Sequence, residues 1–446
     1  MTTRENATGH GGRRRREIPH AKRRQRAVPL ATIASVPTSP VDADHAAFLL
    51  RVARLLLGGG LGARESEAEV IATGQALGHR DIQVAALPTG VFVTLTPNEP
   101  AYFSSARSFM RFDQLSEVLT VTGKVRAGTL SVTDALTTLD DAARRPPPWP
   151  LWAANLGAVP VGVGLIALLA PRWPNVVAAA LGSVIMAVIT TLAGRFKPVA
   201  ELMPVIAGWV ITAPILLAHQ AGIMDYPFRT IVAILAIGFP GSVFVTGVAD
   251  LVAGHSSAGT ARLAAALMQF TLYITGLVLG VITVGGDLRQ LLDLASPAWP
   301  FGIKLVGIVL ATIGVMVFCY CPWRHTASIV ALSTLAGAVQ VLLGGWGSPA
   351  LGGLIAALLA SVGAQLLART PKGPPWHVTY LPAFMVVAPG SFAFLTASQV
   401  SGYSASPIVT ATSAFLGVAV GTLLGGSFKE MEFPRSLARG SRRRRT

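Results

Sequence analysis

Charge is scarce in this sequence, and unevenly so. Asp, Glu, Lys and Arg make up 13% of the 446 residues, against about 25% in ordinary soluble domains. Nearly all of it lies before Arg145, in short breaks beyond that point, or after Phe428. That excludes one uniform soluble globule and divides the chain into a soluble front section and a membrane back section. Cysteine is scarcer still. Cys319 and Cys321 are the two present, and one intervening residue is poor spacing for a metal pair or a redox CxxC. They read as small residues packed at a helix end. No secretory signal is expected, because the basic N-terminus runs into Pro-rich polar sequence rather than an apolar core. A GxxxxGK[ST] loop is missing, which disfavours an ATP-driven pump. The front section lacks a nucleophile elbow and an HExxH pair, so no enzyme chemistry, cofactor or metal site is expected. His45 and His79 each stand alone among polar residues and read as solvated.

What is abundant is apolar sequence, at 52%. A bilayer core of ~30 Å needs about 20 apolar residues in a helix. Windows free of Asp, Glu, Lys and Arg run over Leu151 to Ala170, Val176 to Gly194, Leu202 to Gln220, Ile231 to Ala249, Leu263 to Gly286 and Leu305 to Trp323. Two more are too long for one crossing: Thr326 to Ala368 would extend ~65 Å as a helix and Val378 to Phe428 ~76 Å. Each has a Gly/Pro-rich break, at Gly344 to Pro349 and at Ser401 to Pro407. The sum is an all-α polytopic membrane protein of about ten transmembrane helices. Residues 1–40 are a disordered basic arm, 41–148 a small α+β domain, 149–286 and 287–428 two membrane blocks of about five helices each, and 429–446 a basic tail.

In the front domain, Phe48, Leu49, Val52, Leu55 and Leu56 recur at helical spacing until Gly58-Gly59-Gly60. A second helix is expected over Glu65 to Leu77, and a hairpin from Ile82 to Ala86 and Val91 to Thr96 around Pro88-Thr89-Gly90. Two more helices fit Phe112 to Val125 and Val132 to Ala143, the latter started by Ser131 with Asp134 three positions on.

The net charge of +15 sits mainly in Arg13 to Arg16, Lys22 to Arg26 and Arg442 to Arg445. Terminal clusters of this kind suit anionic lipid headgroups, at roughly 1 kcal/mol per basic side chain near the surface, and not nucleic acid. An even span count puts both termini on one side. Arg195, Lys197, Arg262, Arg324, Arg369 and Lys372 share that side. Arg172, Arg229, Arg289 and Lys304 fall on the other, diluted by Asp225, Asp287 and Asp293. The positive-inside rule then predicts an inner-membrane protein with cytoplasmic termini.

The back section repeats one element. Phe239-Pro240-Gly241-Ser242 is followed by Gly254-His255-Ser256; Ala388-Pro389-Gly390-Ser391 is followed by Gly402-Tyr403-Ser404. Pro240 has no N–H, so the Ala236 carbonyl loses its helical partner, and Met385 does the same before Pro389. One such site reads as a plain kink. Two matched ones point to interrupted helices at a transporter's binding site, with Pro240, Gly241, Ser242, Pro389, Gly390 and Ser391 as its residues. Ionisable groups at depth are functional candidates by default. Asp250, His255 and Glu201 qualify, and Asp250 or Glu201 is expected to carry a coupling proton or meet a substrate ammonium group.

The Pro-Gly pair followed by Asp250, Gly254, Gly259 and Arg262 resembles the threonine/serine exporter family. So does Leu55-Leu56-Leu57-Gly58-Gly59-Gly60-Leu61-Gly62-Ala63 through Glu69-Val70-Ile71 and Leu77-Gly78. The order of parts matches over about residues 45 to 428. The resemblance implies secondary export of small amino acids driven by the proton motive force. Relatives with the blocks on separate chains resemble dicarboxylate exporters, so a small carboxylate is the alternative substrate. In the second block Ser398 or Gln399 stands where the first has Asp250, which speaks against a symmetric two-carboxylate mechanism. A signalling or assembly protein merely anchored by its spans is the third reading, and so many spans with matched breaks argue against it.

Overall fold

The computed structural model describes residues 40–97, 99–105, 111–169, 172–287, 299–345, 349–370, 373–398 and 407–427; within these, the side chains of 40, 345, 349, 388–398 and 407–412 are not described. The basic arm, the basic tail and the breaks at 346–348 and 401–406 lie outside the described residues.

The front domain follows its sequence pattern. Helix α1 (Pro40–Gly58) buries Phe48, Leu49, Val52 and Leu56 completely. It stops where Gly60 takes φ +86°, a conformation open to glycine. Helix α2 (Ala63–Ala76) ends at Gly78, φ +101°. The expected hairpin forms from β1 (Gln83–Leu87) and β2 (Gly90–Thr94), with Leu87 opposite Gly90 so that Pro88-Thr89 make the turn. A third strand that the pattern did not announce, β3 (Tyr102–Ser105), adds to β2 in the antiparallel order β1-β2-β3. Phe92 and Phe103 pair across it, ring centroids 4.8 Å apart. Val91 and Val93 point inward toward α1. Helices α3 (Phe112–Arg126) and α4 (Val132–Arg144) close the domain. The Ser131 hydroxyl accepts the Asp134 N–H at 3.1 Å, the helix start expected there.

Among the described residues, the membrane part is built of helices. Helices α5 (Leu151–Asn155) and α6 (Ala158–Leu169) make the first span, α7 (Trp173–Ala193) and α8 (Lys197–Gln220) the next two. The fourth is broken: α9 (Pro227–Leu235), one turn of 3-10 helix, then α10 (Gly241–Val252), bent by 65°. Helices α11 (Ser256–Thr283), α12 (Phe301–Phe318), α13 (Thr326–Gly345) and α14 (Pro349–Ala368) follow. Among the described residues, seven helices are long and apolar enough to cross a membrane, and the bent pair makes an eighth. Two further apolar helices, α15 (Trp376–Ser398) and α16 (Pro407–Ser427), take the last places in order. Outward-facing Leu181, Val188, Met268 and Ile282 are the kind of surface that lipid covers.

Close pairs organise the bundle. Helix α6 and the turn before it lie along α12 on glycines: a Cβ on Gly164 would come within 2.3 Å of the Gly307 carbonyl, and one on Gly157, in that turn, within 2.5 Å of Gly314's. Small residues let membrane helices approach backbone to backbone. The same device pairs α8 with α11 through Gly208 and Gly276, and α14 with α16 through Gly417 and Gly421.

Three sequence expectations need correcting. Arg229, assigned to a loop, is 3% exposed on α9; its Nη1 donates to the Leu169 carbonyl at 2.8 Å and its guanidinium lies over the Tyr226 ring. The Ala236 carbonyl is not left open by Pro240, because the Phe239 N–H donates to it at 3.3 Å, shortening the helix to a 3-10 turn. The helix at Pro389-Gly390 is not interrupted: α15 continues from Trp376 to Ser398. Its path is supported from outside, the buried Gln340 amide donating to the Val387 carbonyl at 3.0 Å.

Among the described residues, the front domain docks on the membrane part at two places. The Phe112 N–H donates to the Cys319 carbonyl at 3.1 Å, and Arg324 Nη2 donates to Ser116 Oγ at 3.2 Å. There Tyr320, at φ +57°, stacks on Trp149 and lies under Arg111. Both cysteines are buried in this turn with free thiols. The second contact, at α2, builds the candidate site.

Candidate functional site

Helix α2 begins at Gly62, which has no side chain to satisfy the first N–H groups of the helix. Asp250, in the last turn of α10, does so from the other domain. It is 2% exposed, and its Oδ1 accepts the Ala63 N–H at 2.9 Å. A carboxylate at a helix N-terminus gains both the hydrogen bond and the macrodipole. Its Oδ2 meets Arg262 Nη1 at 2.5 Å, and Arg262 Nη2 donates to the Leu61 carbonyl at 2.8 Å. A Cβ on Gly62 would sit 3.0 Å from Asp250 Oδ1, so the glycine admits the carboxylate. Glu65 Oε2 accepts the Gly62 N–H at 3.1 Å.

Two acidic residues further along α2 complete the contact. His255 Nδ1 lies 3.6 Å from Glu67 Oε1, which also accepts the Ala86 N–H at 2.7 Å. Burial pushes the Glu67 carboxyl above its ordinary value and Asp250 adds to this, while the Ala86 N–H and His255 pull the other way. Glu69 is 4% exposed and held by Arg126 Nη2 at 3.0 Å and the Thr122 hydroxyl at 3.1 Å.

Between α2 and helices α10, α14, α15 and α16 lies a cavity of about 490 Å³. Helix α2 contributes Arg64 and Glu65; α10 contributes Ser242, Thr246 and Asp250; Arg126 and Arg262 reach in from the sides. The opposite wall is aromatic and polar: Trp376, His377, Tyr380 and Phe384 of α15, Gln365 of α14 and Thr422 of α16. That wall is tied together, with Tyr380 Oη 3.0 Å from Thr422 Oγ1 and Gln365 Nε2 donating to the Gly425 carbonyl at 2.7 Å. Both signs of charge, hydroxyls and aromatic faces thus converge on one volume, in the size range of small-molecule sites.

Of the residues expected from the sequence, Ser242 and Asp250 line this cavity. Pro240 and Gly241 start the helix that carries them, and His255 stands behind, against Glu67. Glu201 is elsewhere, on α8, 67% exposed and 3.9 Å from Lys197. The side chains of Pro389, Gly390 and Ser391 lie outside the described residues. The sequence reading missed Arg64, Glu65, Trp376, His377 and Tyr380. Only His377 had a signal, a histidine at the edge of a long apolar window.

A helical multi-pass membrane protein with a mixed-charge cavity beneath a docked α+β domain has the build of a solute transporter. The chain belongs to the threonine/serine exporter family: the family profile described as "Putative threonine/serine exporter" matches residues 47–285. It is also similar, at 24% identity over 429 residues, to a Mycobacterium tuberculosis protein named "Probable threonine/serine exporter". That alignment covers 89% of this chain and 79% of the relative. No solved structure matches the chain.

Proposed function

We propose that this protein is a secondary exporter of small amino acids, threonine and serine foremost, driven by the proton motive force across the inner membrane. The carrying observation is the cavity under α2, where Arg64, Arg126 and Arg262 face Glu65 and Asp250. A zwitterion needs a cation for its carboxylate and an anion for its ammonium group, while Ser242, Thr246 and Thr422 suit a hydroxylated side chain. A dianion would be served by arginines alone, and here Arg262 is already paired with Asp250. The name of the Mycobacterium tuberculosis relative supports the same substrate class.

Asp250 is the proposed coupling residue. Protonation would weaken its hold on Ala63 and Arg262 and so loosen α2 from the mouth of the cavity. Front domain and both termini face the cytoplasm in this reading, in keeping with Arg262 and Arg324 sharing a side with that domain. The two-block division is supported by a matched pair within each block, third span on fifth (α8, α11) and eighth on tenth (α14, α16), while first on sixth (α6, α12) joins the blocks.

The test is efflux from preloaded vesicles holding the purified protein, comparing threonine, serine and succinate with and without a protonophore. Threonine and serine efflux that collapses with the gradient is the expected result. Preferred succinate efflux would replace the substrate, and gradient-independent efflux would remove the coupling.

A further inference from the structure

His45 and His79, separated by 34 positions, meet in the fold. His45 Nδ1 is 2.8 Å from His79 Nε2, and Asp42 Oδ1 is 4.0 Å from the same His79 nitrogen. Asp42 and His45 are three apart in the first two turns of α1, so both project from one side. His79 is set by its backbone: its N–H donates to the Gly74 carbonyl at 3.0 Å across Gly78, φ +101°, a glycine-ended helix terminus. The ligand atoms of all three residues lie within 4.8 Å of one another, and each residue is part-exposed, so water reaches the group.

We propose that Asp42, His45 and His79 form a binding site for a divalent transition-metal ion of the zinc class, with water completing the coordination. Two imidazole nitrogens and one carboxylate are the donor set that zinc, cobalt and nickel take, whereas calcium and magnesium want oxygen alone. Zn–N bonds of about 2.0–2.1 Å in a tetrahedral site place two ligand nitrogens about 3.3 Å apart. The observed 2.8 Å therefore has to open by a few tenths of an ångström. Two rings this close cannot both point a proton at each other, so one lone pair faces the gap whichever tautomer holds. Three ligands with an open fourth position is a hydrated site. The ion would staple the start of α1 to the end of α2, the helix whose other end is capped by Asp250. The placement of α2 over the cavity would then respond to metal. Binding itself does not depend on the transport reading.

The experiment uses the full chain in detergent, tag removed, stripped with a chelator and dialysed against Zn2+ or Co2+. One zinc per chain and a visible cobalt spectrum of four-coordinate intensity are expected. His79→Gln should abolish both. Asp42→Asn, which keeps the imidazole pair, should weaken zinc binding by more than the ~10–100-fold typical of losing an outer-sphere partner. Hydrogen exchange at α2 should slow on zinc addition in the wild type and not in His79→Gln. Because His10 and His20 are also present, a His10→Gln, His20→Gln variant should keep the full stoichiometry. Absence of zinc from the wild type, or equal zinc and an unchanged cobalt spectrum in Asp42→Asn and His79→Gln, would overturn the site.

Discussion

Pro240 and Pro389 stand in nearly the same words of sequence, and the chain treats them differently. At Pro240 the helix tightens to a 3-10 turn, Phe239 extends, and α10 departs at 65°. At Pro389 the backbone stays helical from Trp376 to Ser398. A proline removes one donor and crowds one carbonyl; the surroundings choose whether the helix kinks or turns away. Around Pro240 they favour turning. Gly238 is packed so closely that a Cβ would meet Tyr273 Oη at 2.2 Å and Met186 Cε at 2.7 Å, and the far end of α10 is pinned to α2 by Asp250. Before Pro389, Gln340 reaches across to the Val387 carbonyl and ties the unbroken helix to α13. The lesson is that a Pro-Gly pair marks a place where a break is cheap, and tertiary contacts decide whether it is used.

The largest effect is expected at the Asp250 pin. Asp250→Ala leaves Arg262, largely buried, without its carboxylate and Ala63 without its cap. A loss of about 3 kcal/mol is expected from removing one partner of a buried pair. Unfolding in detergent would read it, and threonine efflux should fall to background. Asp250→Asn keeps an acceptor for Ala63 and should lose less stability than Ala. Unchanged hydrogen exchange at α2 in both variants would show that the pin does not hold the domain.

The two Pro-Gly sites come next. Pro389→Ala restores a donor to a helix that is already continuous, so melting should rise or stay level. Gly238→Ala overpacks the break against Tyr273 and Met186 and should cost about 1–3 kcal/mol, with efflux reduced. Equal effects at the two sites would erase the distinction. Gln340→Leu should cost about 1 kcal/mol, the net worth of one hydrogen bond, and increase exchange of the amides near Val387.

Smaller effects test the edges of the contact. Because the folded Glu67 carboxyl titrates above its ordinary 4.5, the fold holds that proton more tightly than the unfolded chain does. Its contribution to stability is full below about pH 4.5 and is lost as pH rises through the raised value. Its charged and polar neighbours, His255, Asp250 and the Ala86 N–H, stay in place in Glu67→Gln. That variant should match the wild type in acid and equal or exceed it at neutral pH, read by melting across pH. Glu201→Gln should do least. An exposed pair with Lys197 is worth under about 0.5 kcal/mol, and efflux should not change.

Much of the fold was legible because its signals are local. The helices of the front domain follow from apolar spacing and glycine stops, the hairpin from Pro88-Thr89-Gly90, and the spans from windows without charge. The strand at Tyr102 was missed because four residues at a sheet edge make no periodicity. The burial of Arg229 was missed because its partner is a backbone carbonyl 60 positions away. Asp250 and Ser242 were found as candidates from their place near Pro240. Their neighbours Arg64 and Glu65 were not, since nothing local distinguishes them from any other charged helix start.

The sequence alone determined the membrane architecture, the small α+β domain and the family. All three rest on hydrophobicity and on short-range order, which each segment carries by itself. Only the tertiary structure decided that the Asp250 carboxylate caps a helix of another domain, that His45 and His79 touch, and that one Pro-Gly pair interrupts its helix while the other does not. Those outcomes depend on pairings between distant residues, where distance along the chain carries no information about distance in space.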